Sequence, residues 1–239
     1  PNRSYINFNY YIETAGNALY GIAKAAGLTT NDAGAYTIWH IPFAQYAKAD
    51  VNFTFHHVMA SKHQLVYHAG IGAAVPYLNA TVLPFEKRYF SGGSNSVRGW
   101  QARTLGPGGF RGANNTMVYD LQAGDIRLDL NIEYRWKVWT YIELAAFVDA
   151  GNIWTIRNYE QQPYGVFEWD EFYKQIALSY GVGLRLDFNI LIFRLDFGVK
   201  LHDPSRLYGD LAGTQWRTAP NGLSWKDDMT LHFAIGYPF

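Results

Sequence analysis

DIRLDLNIEYRW, residues 125–136, alternates without a break. Ile126, Leu128, Leu130, Ile132, Tyr134 and Trp136 fall on one phase, and Asp125, Arg127, Asp129, Asn131, Glu133 and Arg135 on the other. Successive side chains of a strand point to opposite faces, so this stretch predicts a strand with one oily face and one charged face. A soluble antiparallel sandwich alternates as well. Full charges of both signs in nearly every pleat fit a water-filled lumen better, with the oily face turned to lipid.

The same pattern recurs outward in both directions. Met229, Leu231, Phe233, Ile235, Tyr237 and Phe239 alternate with Thr230, His232, Ala234, Gly236 and Pro238, which predicts a last strand over 229–239. Leu191–His202 and Gln175–Phe188 repeat it, and weaker versions run through Ile142–Ala150, Leu65–Tyr77, Val51–Met59 and Ser4–Ile12. The chain therefore reads as all-β, with about eight strands near the 9–11 residues that a tilted strand needs to cross a bilayer. Globular strands average about 5–6 residues, which counts against the sandwich.

Connections give an independent line. Short turns are expected near Ser61-Lys62-His63, Trp136–Trp139 and Asp187-Phe188-Asn189, and long connections at about 17–45, 79–124, 152–171 and 203–228. Alternating short and long connections are the pattern of an outer-membrane barrel, with short turns periplasmic and long loops outside. Ala18–Ala26 reads as a short helix or a linker, since Gly21 and Gly27 make a stable isolated helix unfavourable. Trp39, Trp136, Trp139 and Trp154 lie near predicted strand ends, where an aromatic belt would sit.

Bulk properties agree with this class. Aromatic residues make up 17% and charged residues 17% of the 239 residues, the latter well below the usual value of about 25%. No run approaches the roughly 18 apolar residues of a transmembrane helix. Net charge is zero, which gives no reason to expect a nucleic-acid partner. The absence of cysteine excludes disulfides, thiolate metal sites and cysteine nucleophiles. No signal-peptide pattern opens the sequence at Pro1-Asn2-Arg3-Ser4.

The connection from Leu83 to Gly124 holds two dense motifs, Ser94-Asn95-Ser96-Val97-Arg98-Gly99-Trp100 and Gly106-Pro107-Gly108-Gly109-Phe110-Arg111-Gly112. Phe147-Val148-Asp149-Ala150-Gly151 follows two strands later, and Glu133 stands on the strand between. In this order the residues resemble the BamA/TamA-like outer-membrane assembly superfamily, with Trp100 where Phe or Tyr is more usual; the wording lies nearest the Tam-type branch. The resemblance covers essentially the whole chain. It implies that the long loop folds back into the lumen and that Val97, Arg98, Gly99 and Trp100 form its tip. Phe147, Asp149 and Gly151 would form the barrel motif. Asp149 and Glu133 share the polar phase with Glu143 and Asn131, so both carboxylates are candidate lumen partners of Arg98 through charge-assisted, bidentate hydrogen bonds.

An eight-stranded barrel is filled by its own side chains and could not take up a loop of this length. The resemblance implies a complete barrel of sixteen strands behind periplasmic POTRA domains, with this chain as strands nine to sixteen and the missing parts preceding Pro1. It further implies integral residence in the bacterial outer membrane and an insertase or translocase acting through a lateral seam. The seam would be closed by the last strand, with Phe233, Ile235, Gly236, Tyr237 and Phe239. Proline donates no ladder hydrogen bond, so Pro238 would weaken pairing there. The implied partners are the lipid bilayer, unfolded outer-membrane proteins, and periplasmic or inner-membrane accessory subunits. A two-partner-secretion-type translocation pore is the alternative; an ordinary porin or a barrel enzyme fits less well. Gly-x-Ser-x-Gly, HExxH and P-loop patterns are all missing, so neither catalytic residues nor cofactors are expected. His56, His57 and His63 could hold a metal but read better as solvated turn residues. Asp129, Glu133, Glu143 and Asp149 read as ion-pair partners of neighbouring arginines.

Overall fold

The computed structural model describes residues 3–111, 119–188, 190–218 and 222–239; Pro1 and Asn2, Gly112 of the second glycine run and Asn189 of the third short turn lie outside them. Eight strands form one sheet: β1 (Tyr5–Ala15), β4 (Tyr46–Ala60), β5 (His63–Pro76), β6 (Ile126–Lys137), β7 (Ile142–Trp154), β8 (Ala177–Asp187), β9 (Ile192–His202) and β10 (Met229–Ile235). Each pairs antiparallel with its sheet neighbours, in the order β1-β4-β5-β6-β7-β8-β9-β10, so the sheet is a meander with β1 and β10 at its edges. Short turns and long connections alternate along it.

Burial is inverted relative to a soluble sheet. On β6, Asp129, Asn131, Glu133 and Arg135 are at most 4% exposed, while Leu130 and Ile132 are 40% and 48% exposed. The same inversion sets buried Arg194 and Asp196 on β9 against exposed Phe193, and buried Ser179 and Arg185 on β8 against exposed Tyr180 and Val182. A continuous apolar outer face of this extent is stable only against lipid. It disposes of the sandwich. Among the described residues no helix is long and apolar enough to cross a membrane; the crossing elements are strands.

Several boundaries differ from the alternation. β4 begins at Tyr46, five residues before the predicted Val51, because Tyr46–Asp50 pair with Gly72–Pro76 of β5. β10 ends at Ile235 and does not run to Phe239. Gly236 adopts φ 85°, a left-handed conformation that glycine takes without penalty, and its N–H donates to the Ile192 carbonyl at 2.9 Å. The tail then turns onto the polar face: the Tyr237 ring lies 4.3 Å from the Arg135 guanidinium, and Phe239 stacks on His68 at 4.5 Å. Gly236, Tyr237 and Phe239 therefore do not belong to the terminal strand, whereas Phe233 and Ile235 stand on its outward phase, 81% and 67% exposed.

Residues Asn17–Ala25 form a helix, α1. Its start is tied down by tertiary contacts: the Asn17 Oδ1 accepts from the Gln45 Nε2 at 3.0 Å and the Tyr77 hydroxyl at 2.6 Å. A two-residue turn at Trp39-His40, both with positive φ, joins β2 (Thr37–Ile38) to β3 (Ile41–Pro42). Trp39 is thus the exposed tip of a loop hairpin and not part of a strand-end belt. Trp154 is not a belt residue either. It is 1% exposed, because the following connection lays Phe167 and Phe172 edge-on against it and its Nε1 donates to Gln175 Oε1 at 2.7 Å.

Candidate functional site

The connection between β5 and β6 folds onto the polar face of the sheet. Its base is closed by the reciprocal bonds Tyr89 N–H to Gly124 O and Gly124 N–H to Tyr89 O, at 2.8 and 2.9 Å. Lys87 Nζ reaches Glu13 on β1 at 2.6 Å; this hydrogen bond, with desolvation opposing, raises the Lys87 amine to about 12. The tip is a compact run of turns: Gly93 N–H bonds Trp100 O at 2.9 Å, and Trp100 N–H bonds Val97 O at 3.2 Å. Val97, Trp100 and Leu105 of the loop make a small apolar core with Ala177 of β8.

Arg98 projects from this tip and is completely buried. Its Nε and Nη2 donate to the two oxygens of Asp149 at 2.9 and 2.8 Å, its backbone N–H adds a third bond to Asp149 at 3.0 Å, and its Nη1 donates to Glu133 Oε2. The guanidinium carbon sits 3.5 Å from the centre of the Phe147 ring, a stacked cation–π arrangement. Register explains the convergence: Asn131 pairs with Asp149 and Glu133 with Phe147 across β6 and β7, so all four side chains share one face. Gly151, across from Asp129, leaves no room for a Cβ against the Leu128 carbonyl.

A wider network surrounds the pair. Arg185 bridges Glu133 and Asp196 at 3.0 and 2.6 Å, and Arg135 also reaches Glu133, at 2.6 Å. Asn131 Nδ2 donates to Ser96 O and to Asp149 Oδ1, both at 2.8 Å, and Ser96 Oγ donates to Asp129. On the far side Gly99 N–H bonds Ser179 Oγ at 3.1 Å, Thr230 Oγ1 donates to Gly99 O at 3.0 Å, and His232 Nε2 bonds Arg98 O at 3.0 Å. One loop tip thus touches β6, β7, β8 and β10.

Ser179, Arg185, Asp196, Thr230 and His232 were missed as site residues, although their phase in the alternation put them on the polar face. Gly198 shares that phase on β9 and carries no side chain to single it out. A Cβ there would collide with the Arg98 carbonyl, and one on Gly99 would lie 2.6 Å from Ser179 Cβ. The recoverable signal is a glycine on the inward phase of β9, where an approaching backbone requires the absence of a side chain.

Chemically the arrangement is a clamp. Glu133, Asp149 and Asp196 are each engaged by at least one arginine, and such buried pairs resist removal of either partner. Among the described residues no group of three or more His, Asp or Glu could hold a metal ion; His56 bonds Gln64 and His63 bonds Tyr134.

Comparison with known proteins places this architecture. The sequence profile described as "Omp85 superfamily domain" matches residues 36–239. The outer membrane protein assembly factor BamA of Neisseria meningitidis serogroup B (strain ATCC BAA-335 / MC58) is 26% identical over 121 residues, 48% of this chain and 15% of that protein. The crystal structure of BamA from Haemophilus ducreyi lacking POTRA domains 1–3 shares the fold, with a TM-score of 0.52 over 65% of this chain and 32% of that chain, at 19% identity. CdiB from Acinetobacter baumannii overlaps 80% of this chain and 27% of its own, at 18% identity and a TM-score of 0.45.

Proposed function

The chain belongs to the Omp85 superfamily and is part of an integral outer-membrane β-barrel, and from that premise we propose that it serves the insertion or translocation of other proteins at the outer membrane. In this reading it is the C-terminal portion of the barrel, strands nine to sixteen, with further strands and periplasmic domains elsewhere in the protein. The lipid bilayer and unfolded outer-membrane proteins are its partners, together with accessory subunits on the periplasmic side.

One observation carries the reading. The Val97-Arg98-Gly99-Trp100 tip is locked to the wall at Asp149 and Glu133 and at the same time holds the edge strand β10 through Thr230 and His232. In this reading β10 borders the seam of the complete barrel, and opening that seam would offer backbone groups on which an incoming strand can be templated. Bracing β10 from inside fixes its position. The loop is thus a strut for a lateral seam, and Arg98 is its anchor.

The test is reconstitution of the intact protein in liposomes, with an unfolded outer-membrane protein as substrate. Arg98→Ala is expected to lower the yield of protease-resistant inserted substrate at least several-fold while most of the barrel stays folded. Full insertion activity in that variant, with unchanged protease sensitivity of residues 77–125, refutes the strut.

A further inference from the structure

At the end of the sheet away from the long connections, two of the three short turns carry exposed apolar side chains at their apices. The turn between β6 and β7 presents Trp139 and Tyr141, 70% and 52% exposed, and the turn between β8 and β9 presents Phe188 and Ile190, 53% and 98% exposed. The turn between β4 and β5, Ser61-Lys62, presents a hydroxyl and an ammonium instead. Short turns of such a barrel lie on the periplasmic side, and a turn that stays in water is ordinarily polar. We propose that the two apolar turns are sunk into the periplasmic leaflet of the bilayer, at headgroup depth, and form a lipid-embedded foot beside the end of β10.

Continuity with the lipid face is the first argument. Leu186 and Phe193 pair across β8 and β9, on the outward phase that Tyr180 and Val182 share. Phe188 continues that phase and lies edge-on to Phe193, ring centres 6.2 Å apart. From the neighbouring turn Tyr141 stacks on Phe188 at 6.3 Å. The apolar surface therefore extends from the lipid-facing strands onto both turns, and it carries Trp and Tyr, the rings that favour the membrane–water interface. Backbone accounting is the second argument, since polar groups that leave water need internal partners. Val138 N–H and Trp139 N–H both donate to Ile142 O, at 3.0 and 3.2 Å, and Phe188 N–H donates to Leu191 O at 3.1 Å. Asp187 N–H donates to Tyr141 O at 2.9 Å, which ties the two turns into one unit.

Placement then gives the foot a consequence. The Gly236 N–H that ends β10 donates to Ile192 O, immediately after the turn that carries Ile190. Anchoring that turn in lipid sets the depth at which the end of β10 meets the bilayer. The polar turn between β4 and β5 leaves the other side of the sheet without such an anchor. Lipid is favoured over a protein partner because Phe188 and Phe193 stand on the outward phase, in line with the strand residues that already face the bilayer.

The sequence has no cysteine, so Ile190→Cys, Trp139→Cys and, as a control, Lys62→Cys each supply a single thiol for a bimane label, with any cysteine elsewhere in the intact protein replaced by serine. The protein is placed in phosphatidylcholine nanodiscs, which leave both faces open to water. Quenching by a phospholipid with a nitroxide high on its acyl chain is compared with quenching by aqueous iodide. Labels at 190 and 139 are expected to be quenched several-fold more by the lipid nitroxide than the label at 62, and several-fold less by iodide, as for groups seated at the headgroup–acyl boundary. All three positions are exposed, and unchanged heat-modifiable migration on gels verifies the fold; Tyr141→Cys reads the same depth if either turn variant fails to fold. Iodide quenching at 190 and 139 equal to that at 62 puts the turns in water and overturns the proposal. Protection from both quenchers assigns the patch to a protein cover and overturns it as well.

Discussion

Replacing Arg98 by alanine removes three side-chain hydrogen bonds and leaves Asp149 without a cation, because among the described ion pairs Arg98 is its single partner. Asp149 would keep Asn131 Nδ2 and one backbone N–H, while Glu133 keeps Arg135 and Arg185. Orphaning one member of a buried pair costs about 3–5 kcal/mol, and the desolvated site shields little of it. Asp149→Asn is milder, about 1–3 kcal/mol, since Arg98 retains Glu133 and lies 3.7 Å from Asp196. The double variant no longer carries an orphaned carboxylate, so the two costs must not add; a coupling of about 2 kcal/mol is expected. Denaturant unfolding of the intact protein in micelles measures all three, with proteolysis of residues 77–125 scored alongside. Because both partners are buried, the coupling should persist at about 1 M salt, unlike that of the exposed Lys174–Glu171 pair. Additivity within about 0.5 kcal/mol would show that loop and wall are not locked through this pair, and the strut would lose its anchor.

Gly198→Ala should unseat the loop tip, since the new Cβ meets the Arg98 carbonyl carbon at 2.6 Å; a loss of about 1–3 kcal/mol and faster loop cleavage are expected, while Gly21→Ala in α1, with nothing within 4 Å, should gain roughly 0.5–1 kcal/mol. Leu195→Arg puts a charge on the lipid face at a cost of about 2–4 kcal/mol near the midplane. Asp196→Asn should cost a comparable amount, because it breaks the 2.6 Å pair with Arg185; refolding titrations in vesicles compare the two. Acid should release the helix α2 (Trp225–Asp228). Burial works against the Asp228 carboxylate, but Arg217 on both its oxygens, at 3.0 and 2.8 Å, and the Ser224 N–H hold it below the usual range. A carboxylate lowered in this way stabilises above its unfolded pKa of about 4 and loses that contribution as pH falls through the folded value. Cleavage within 203–228 should therefore rise below about pH 4 and stay constant from pH 6 to 8.

The strands were legible because period-two alternation is a local property, and lipid outside with water inside keeps its amplitude high along β6, β8 and β9. Ends of elements were less so. Phe239 continues the alternation in sequence, yet Gly236 costs nothing to turn, and Arg135 and His68 reward the turn with contacts that no local pattern contains. Trp154 sits on the outward phase and reads as a belt residue until the connection carrying Phe167 and Phe172 closes over it. Arg98 and its two carboxylates could be connected through motif order and strand phase. For Gly198 and Ser179 the phase alone was legible, because a glycine or serine on the inward face of a strand names no partner until a second backbone is known to pass over it.

The distribution of contacts around β10 ties these details to the proposed role. β1 and β4 pair over eleven residues, but β9 and β10 pair over seven. The terminal strand therefore has the shorter ladder, and part of what positions it comes from Thr230 and His232 gripping the backbone of the loop tip. Those two bonds depend on the loop tip staying seated, to which Arg98 docked against β6 and β7 contributes. Loosening the docked arginine would thus weaken the hold on an edge strand five strands away from β5, where the loop begins, without breaking any ladder bond. Under the proposed function, a seam strand held partly by an internal strut would open at that strand and leave the rest of the barrel closed. An equally long ladder at β10 would leave the loop nothing to control.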